Sequence, residues 1–223
     1  MHLLTPTHIR WSGSSLALLA CCTSFGCVEM SHFKVVVAAV ILALAALAGG
    51  ATSVRSSATK RLRGLPNFDC VTGMLYRGGQ PDAEGFGTLR DMGVGLVINF
   101  RDEESEVTQE KREVESLGMR YIMIPWNGHD EPSDAQVVEF LDLIRTNPQT
   151  KIFVHCKRGA DRTGVMIAAY RIAVEHESVS DAVSEMHRFH YDWFLLPQLE
   201  RYVESLPERL RKDPRFSQYG SNS

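Results

Sequence analysis

The stretch KIFVHCKRGADRTG, Lys151 to Gly164, decides how this chain is read. Lys151 to His155 is an apolar run suited to a buried strand. It passes directly into a loop, Cys156 to Gly164, and from Val165 an apolar helix follows. Such a strand–loop–helix transition, with glycines at Gly159 and Gly164, lets backbone amides turn inward. They form an anion-binding nest at the positive end of the helix. A cysteine followed six positions later by an arginine is weak evidence in a chain with five cysteines. A lone cysteine is ordinarily a small buried apolar residue. The flanking strand and helix give the pattern its weight.

The chemistry follows from that geometry. Amides converging at a positive helix end favour a thiolate, which makes Cys156 a nucleophile. Arg162 offers a planar fork to two phosphate oxygens, which Lys cannot copy. Lys157, Arg158, Gly159, Ala160, Asp161, Thr163 and Gly164 are expected to surround the phosphate. Lys157 and Arg158 add positive charge at the mouth, and Thr163 can hydrogen-bond the sulfur as it leaves. Asp161 is expected to hold Arg162 in place or to assist the acid step. His155 is expected to brace the loop from behind rather than to react. A phosphoryl group transferred to Cys156 would then be released by water.

The leaving oxygen needs a proton donor on a loop facing the nest. The segment after Arg120–Trp126 holds Asp130, Glu131 and Asp134 between Gly128 and the next helix. Asp130 is the expected acid, with a solvated loop charge as the alternative. Asp134 reads as a helix N-terminal acid favoured by the dipole alone.

Working outward, strands are predicted at 73–77, 94–100, 120–126 and 151–155. Helices are predicted at 82–92, 106–116, 133–145, 162–176, 179–190 and 195–211. This alternation implies an α/β fold with a central, mostly parallel sheet of four to five strands flanked by helices. The boundaries expected are an N-terminal extension at 1–51, a linker at 52–66, a folded phosphatase domain at 67–212 and a flexible tail at 213–223.

At 223 residues with a formal net charge of −3, the chain has no general polyanion-binding character, and no nucleic-acid partner is expected. No Cys/His cluster has zinc spacing, so no metal or other cofactor is expected. The uncharged run at 35–51 reads as a signal peptide or a membrane anchor. Its small-residue end reads as a cleavage region and favours export, and its length suits a membrane anchor if it is never cut. Arg55, Lys60, Arg61 and Arg63 after it are the argument for a cytoplasm-facing anchor. A start at Met30 would place Lys34 in a compact basic leader, making residues 1–29 an upstream extension. Cys70, the other cysteine of the domain, is either inert or a reversible disulfide partner of Cys156. The domain is expected to act as a monomer.

The string VHCKRGADRTG resembles the signature of the protein tyrosine phosphatase superfamily, His-Cys-five residues-Arg-Ser/Thr. LYRGGQP, GLVINFRDE and the PWNGHDEPS loop are similar to segments of its compact, dual-specificity-like members. The resemblance implies Cys156 as nucleophile, Arg162 as phosphate binder, an aspartate acid and no metal. No Trp-Pro-Asp tripeptide occurs. The corresponding acid of the lipid phosphatase related to tensin would fall nearer Gly128 than Asp130. The substrate expected is phosphotyrosine in protein, with dual specificity a variant of the same reading. Inositol phosphates or phosphoinositides are the alternative, and a phosphate-binding module without catalysis is the third reading. Ala160, where the lipid phosphatase has a second basic residue, and the negative Asp161 argue against a highly phosphorylated inositol.

Overall fold

The computed structural model of the protein describes residues 62–219. The apolar run 35–51, with the signal peptide or anchor expected there, and residues 52–61 of the expected linker lie outside them. Among the described residues no helix is long and apolar enough to cross a membrane. No group of His, Cys, Asp and Glu among them could hold a metal ion.

The elements run β1 (Asp69–Cys70), β2 (Leu75–Gly78), α1 (Ala83–Asp91), β3 (Val94–Asn99), α2 (Glu104–Ser116), β4 (Arg120–Met123) and α3 (Asp134–Thr146). They continue with β5 (Lys151–His155), α4 (Asp161–Ala173), α5 (Val179–Arg188) and α6 (Pro197–Lys212), and end in a 3-10 turn at Pro214–Phe216. The five strands lie in the order β1-β2-β5-β3-β4. Only β1–β2 is antiparallel; the other three pairings are parallel.

The strands alternate between two cores, as the period of two requires. Leu96, Ile98, Ile152 and Val154 face one apolar layer with α3, α4, α5 and α6. Val97 and Phe153 face the other, with Phe86 and Leu89 of α1 and Val107 and Val114 of α2. Helix α4 is buried on nearly every side, with eleven residues from Arg162 to Ala173 buried. It therefore lies inside the domain rather than on its surface. β5 sits centrally between β2 and β3, so the loop leaving its C-terminal end opens at the sheet edge where α/β folds bind ligands.

Several boundaries differ from the sequence reading. β4 stops at Met123: the Ile124 N–H still reaches the Asn99 carbonyl at 3.0 Å, but Pro125 has no N–H to extend the ladder. Helix α4 ends at Ala173 because His176 takes a left-handed conformation at φ 57°. The linker does not reach residue 66, since Leu65 is buried against the second core. Nor does the tail begin at 213. Phe216 is fully buried in the first core and Tyr219 packs on it, so the side chains that tie down the end are the aromatics themselves.

Candidate active site

The loop from Cys156 to Ala160 is held by its carbonyls. The Lys157 carbonyl accepts from the Gln80 N–H at 3.1 Å. The Asn67 amide donates to the carbonyls of Arg158 and Gly159 at 3.3 and 3.1 Å. The Gly159 carbonyl also accepts from Arg77 Nη2 at 3.0 Å. With three successive carbonyls engaged on the outer side, the intervening amides are left for the concave side, which is the wiring of an anion nest. Gly159 is required here: its φ is +71°, and a Cβ would lie 2.3 Å from the backbone of Gly78.

The helix that follows leaves its own N-terminus open. Its N-cap is Ala160, with no capping side chain, and alanine is a poor cap. The first helical bond runs from the Gly164 N–H to the Ala160 carbonyl at 2.7 Å. The amides of Asp161, Arg162 and Thr163 therefore have no acceptor a turn back, and the dipole concentrates positive potential there. Cys156 stands at the other end of the loop with 2% of its surface exposed. The Thr163 hydroxyl is buried and has no hydrogen-bond partner among the described residues, so it is a donor in reserve.

Arg162 is 8% exposed. Its Nη1 donates to Asp102 Oδ1 at 2.9 Å, to the Trp126 carbonyl at 3.1 Å and to the Phe100 carbonyl at 3.3 Å. Nη2 has a looser neighbour, Glu103 Oε1 at 3.9 Å. All three short contacts thus use one terminal nitrogen, leaving the Nε–Nη2 edge to act as a fork. Gly128 packs against the Cδ–Nε–Cζ stretch of this side chain: a Cβ there would be 3.1 Å from Nε and 3.3 Å from Cζ.

The expected acid loop is pinned to the same arginine. The Trp126 indole N–H donates to the Asp130 carbonyl at 3.2 Å. The Asn127 amide donates to Asp130 Oδ2 at 3.1 Å, and the Asp130 N–H returns to the Asn127 carbonyl. Gln198 of α6 donates to the His129 carbonyl. Asp130 is exposed at the tip of this closed turn. Asp134 is occupied elsewhere, accepting from the Tyr202 hydroxyl at 2.9 Å and pairing with Arg209 at 3.0 Å. It is a structural anchor between α3 and α6.

Two expectations are corrected. Asp161 does not hold Arg162. Its carboxylate binds Arg158 at 2.7 Å and accepts the Asp192 N–H at 3.0 Å, and the bond to Asp161 raises the Arg158 guanidinium above its ordinary value. Cys70 is no disulfide partner for Cys156. It sits exposed on β1, opposite Tyr76 of β2, two strand spacings or about 10 Å from β5. A bridge requires Cα atoms within about 7 Å.

His155 braces the loop, as its burial requires. Its Nε2 lies 2.7 Å from Glu110 Oε1. Asn99 donates to Glu110 at 2.8 Å and lies 2.7 Å from the Tyr121 hydroxyl, so a buried polar chain backs the end of β5. Arg77 does the same from β2. It is fully buried, pairs with Glu185 at 3.4 Å and stacks on Phe189 at 3.7 Å. Burial lowers it to about 10, against the opposing charges of Glu185 and Cys156. Asp102, Arg77 and Glu110 were not singled out from sequence. The available signals were an arginine amid apolar strand residues and an Arg-Asp-Glu run closing a buried strand.

Residues 64–200 match the family described as "DSP-PTPase phosphatase fused to NAD+ Kinase". The dual specificity protein phosphatase TpbA of Pseudomonas aeruginosa strain UCBPP-PA14 is 30% identical over 115 residues, covering 51% of this chain and 50% of TpbA. The chain thus spans about half the length of that relative. The crystal structure of P. aeruginosa TpbA in complex with pTyr superposes with a TM-score of 0.56 at 21% identity, covering 73% of this chain and 99% of that one. The core catalytic domain of the PP-IP phosphatase SIW14 from S. cerevisiae superposes with a TM-score of 0.56 at 20% identity, covering 68% and 95%. At these identities the superpositions speak for the fold, and the family match covers more than half of the chain. The chain belongs to the family described as "DSP-PTPase phosphatase fused to NAD+ Kinase".

Proposed function

We propose that this phosphatase hydrolyses phosphotyrosine in proteins through a phosphocysteine on Cys156. The observation that carries the reading is the outward-held loop between Cys156 and Arg162, with its inward amides and open helix end. A phosphate seated there accepts the free amides of α4 and the Nε–Nη2 edge of Arg162. The Cys156 thiolate attacks phosphorus in line with the ester oxygen; the S–P bond forms as the P–O bond breaks. Asp130 gives its proton to the leaving oxygen. A water then attacks phosphorus, losing a proton to the Asp130 carboxylate, and the S–P bond breaks. The Thr163 hydroxyl supports the departing sulfur. Lys157, Arg158, Gly159, Ala160, Asp161 and Gly164 complete the phosphate cradle, with Asp161 acting through its amide.

TpbA has been crystallised with phosphotyrosine and SIW14 is a PP-IP phosphatase, so relatives of this fold reach both substrate classes. Two features favour the protein substrate. Position 160 is alanine, and Arg158 has its charge matched by Asp161. That leaves Lys157 as the one further basic side chain of the loop to meet the extra phosphates of a highly phosphorylated inositol. The test is a side-by-side panel of phosphotyrosyl peptide, phosphoseryl peptide and inositol polyphosphates, with EDTA present. A kcat/KM at least about ten-fold higher on the phosphotyrosyl peptide is expected. Preference for the inositol polyphosphate would contradict the reading.

A further inference from the structure

Among the described residues four large apolar side chains are exposed, and three of them are consecutive: Trp193 at 59%, Phe194 at 75% and Leu195 at 68%. Single exposed apolar residues are ordinary on protein surfaces, but a contiguous patch is not.

The segment that presents them is stiff. Tyr191 is buried in the first core; its hydroxyl donates to the Leu196 carbonyl and accepts the Glu200 N–H. The Trp193 N–H bonds the Tyr191 carbonyl, the Leu195 N–H bonds Asp192 Oδ1, and the Leu196 N–H bonds the Asp192 carbonyl. Trp193 and Phe194 meet edge to face with centroids 6.0 Å apart. Exposure here is a fixed feature of the loop rather than fraying.

Its two ends are fastened to the two halves of the site. The Asp192 N–H donates to the Asp161 carboxylate, which also binds Arg158 of the phosphate loop. Gln198, just beyond the patch, donates to the His129 carbonyl in the acid loop. The apolar triad therefore spans the rim between the phosphate nest and the expected acid.

Resting on the phosphatase reading above, we infer that Trp193, Phe194 and Leu195 dock the peptide that carries the phosphorylated residue. The enzyme thereby selects sites with a large apolar residue beside the phosphotyrosine. A polypeptide fits this rim better than an anionic bilayer does. Of the 27 acidic residues only Glu29 lies outside residues 62–219, whereas five of the 24 Lys and Arg residues do. The domain behind the triad is thus acidic, and an anionic lipid surface would repel it.

The test uses the full chain and two phosphotyrosyl peptides differing only in Leu or Ser on either side of the phosphotyrosine. Para-nitrophenyl phosphate, too small to reach the rim, is the reference substrate. Wild type is expected to favour the Leu peptide about ten-fold in kcat/KM. The Trp193→Ser/Phe194→Ser/Leu195→Ser variant is expected to lose that preference through KM, with no fall in Tm. No preference in wild type, or a preference that survives the triple substitution, would overturn the inference. So would a triple variant that loses binding to phosphatidylserine vesicles while keeping its peptide preference. Wild type that turns over para-nitrophenyl phosphate but neither peptide would overturn the protein-substrate reading itself, and is told apart by the reference reaction.

Discussion

Gly128 has no side chain, and Arg162 uses the space. Because Nη1 is committed to Asp102 and two carbonyls, the Nε–Nη2 edge is the one left to act as a fork, and Gly128 packs beside its Nε end. A methyl group there would stand 3.1 Å from Nε, close enough to displace the guanidinium by a few tenths of an ångström. Gly128→Ala is therefore expected to lower kcat/KM on para-nitrophenyl phosphate about ten-fold, or about 1.4 kcal/mol of transition-state stabilisation. Steady-state kinetics on the folded variant check this; unchanged kcat/KM would mean the fork lies elsewhere. Asp102 is the residue the sequence hid most completely. It lies sixty positions from Arg162, and nothing local to an Asp-Glu pair after a strand says which cation it will meet. The placement of Cys156 and Arg162 on one strand-to-helix loop was legible because their spacing and their setting are contained in one short stretch. Asp161 was misassigned for the same reason that Asp102 was missed. Neighbours in sequence at a helix start diverge by about 100° around its axis, and Asp161 faces Arg158 instead.

At the scale of elements, the phosphate loop keeps its shape only because other segments hold its carbonyls. Asn67 is the lynchpin before β1, with one amide reaching the carbonyls of Arg158, Gly159 and Phe189. It adopts φ 51°, which glycine also tolerates. Asn67→Gly thus keeps the backbone and removes only the donor. The expected result is a loss of about 1 kcal/mol in stability and a larger proportional loss of activity. Paired denaturation and kinetics measure both, and activity falling no more than stability would contradict a loop-holding role. The strands and helices around this loop were readable from their periodicity, β5 to the residue. Ends were less so: β4 stops early at Met123, ahead of Pro125, and β1 is a two-residue edge strand too short to carry a pattern. The bracing by Arg77 and Asn67 joins residues some eighty to ninety positions apart, beyond the reach of any local signal.

On the scale of the whole molecule, the last described residues close the domain rather than trail from it. Asp213 pairs with Arg215, whose Nη2 also reaches Asp134. The Tyr219 hydroxyl and Gln218 bond Asp142. Its hydrogen bonds to Arg215 hold the Asp213 carboxyl at about 2. Asp142 is likewise lowered, first by Tyr219. A carboxylate depressed in the folded state stabilises it above the unfolded value, about 3.9 for aspartate, and ceases to as pH falls through the folded one. Amide protection of residues 213–219 is thus expected to fall between about pH 4 and 2, ahead of β5. Simultaneous loss in both would contradict a separately titrating clasp. The proposed mechanism puts one chemical event at Cys156, and that event can be caught directly. Rapid acid quench of the Asp130→Asn variant turning over para-nitrophenyl phosphate, whose nitrophenolate departs without needing a proton, followed by peptide mass mapping, should find one phosphoryl group on the peptide bearing Cys156 and none in Cys156→Ser. Continued turnover without that adduct, or turnover by Cys156→Ser, would contradict the account.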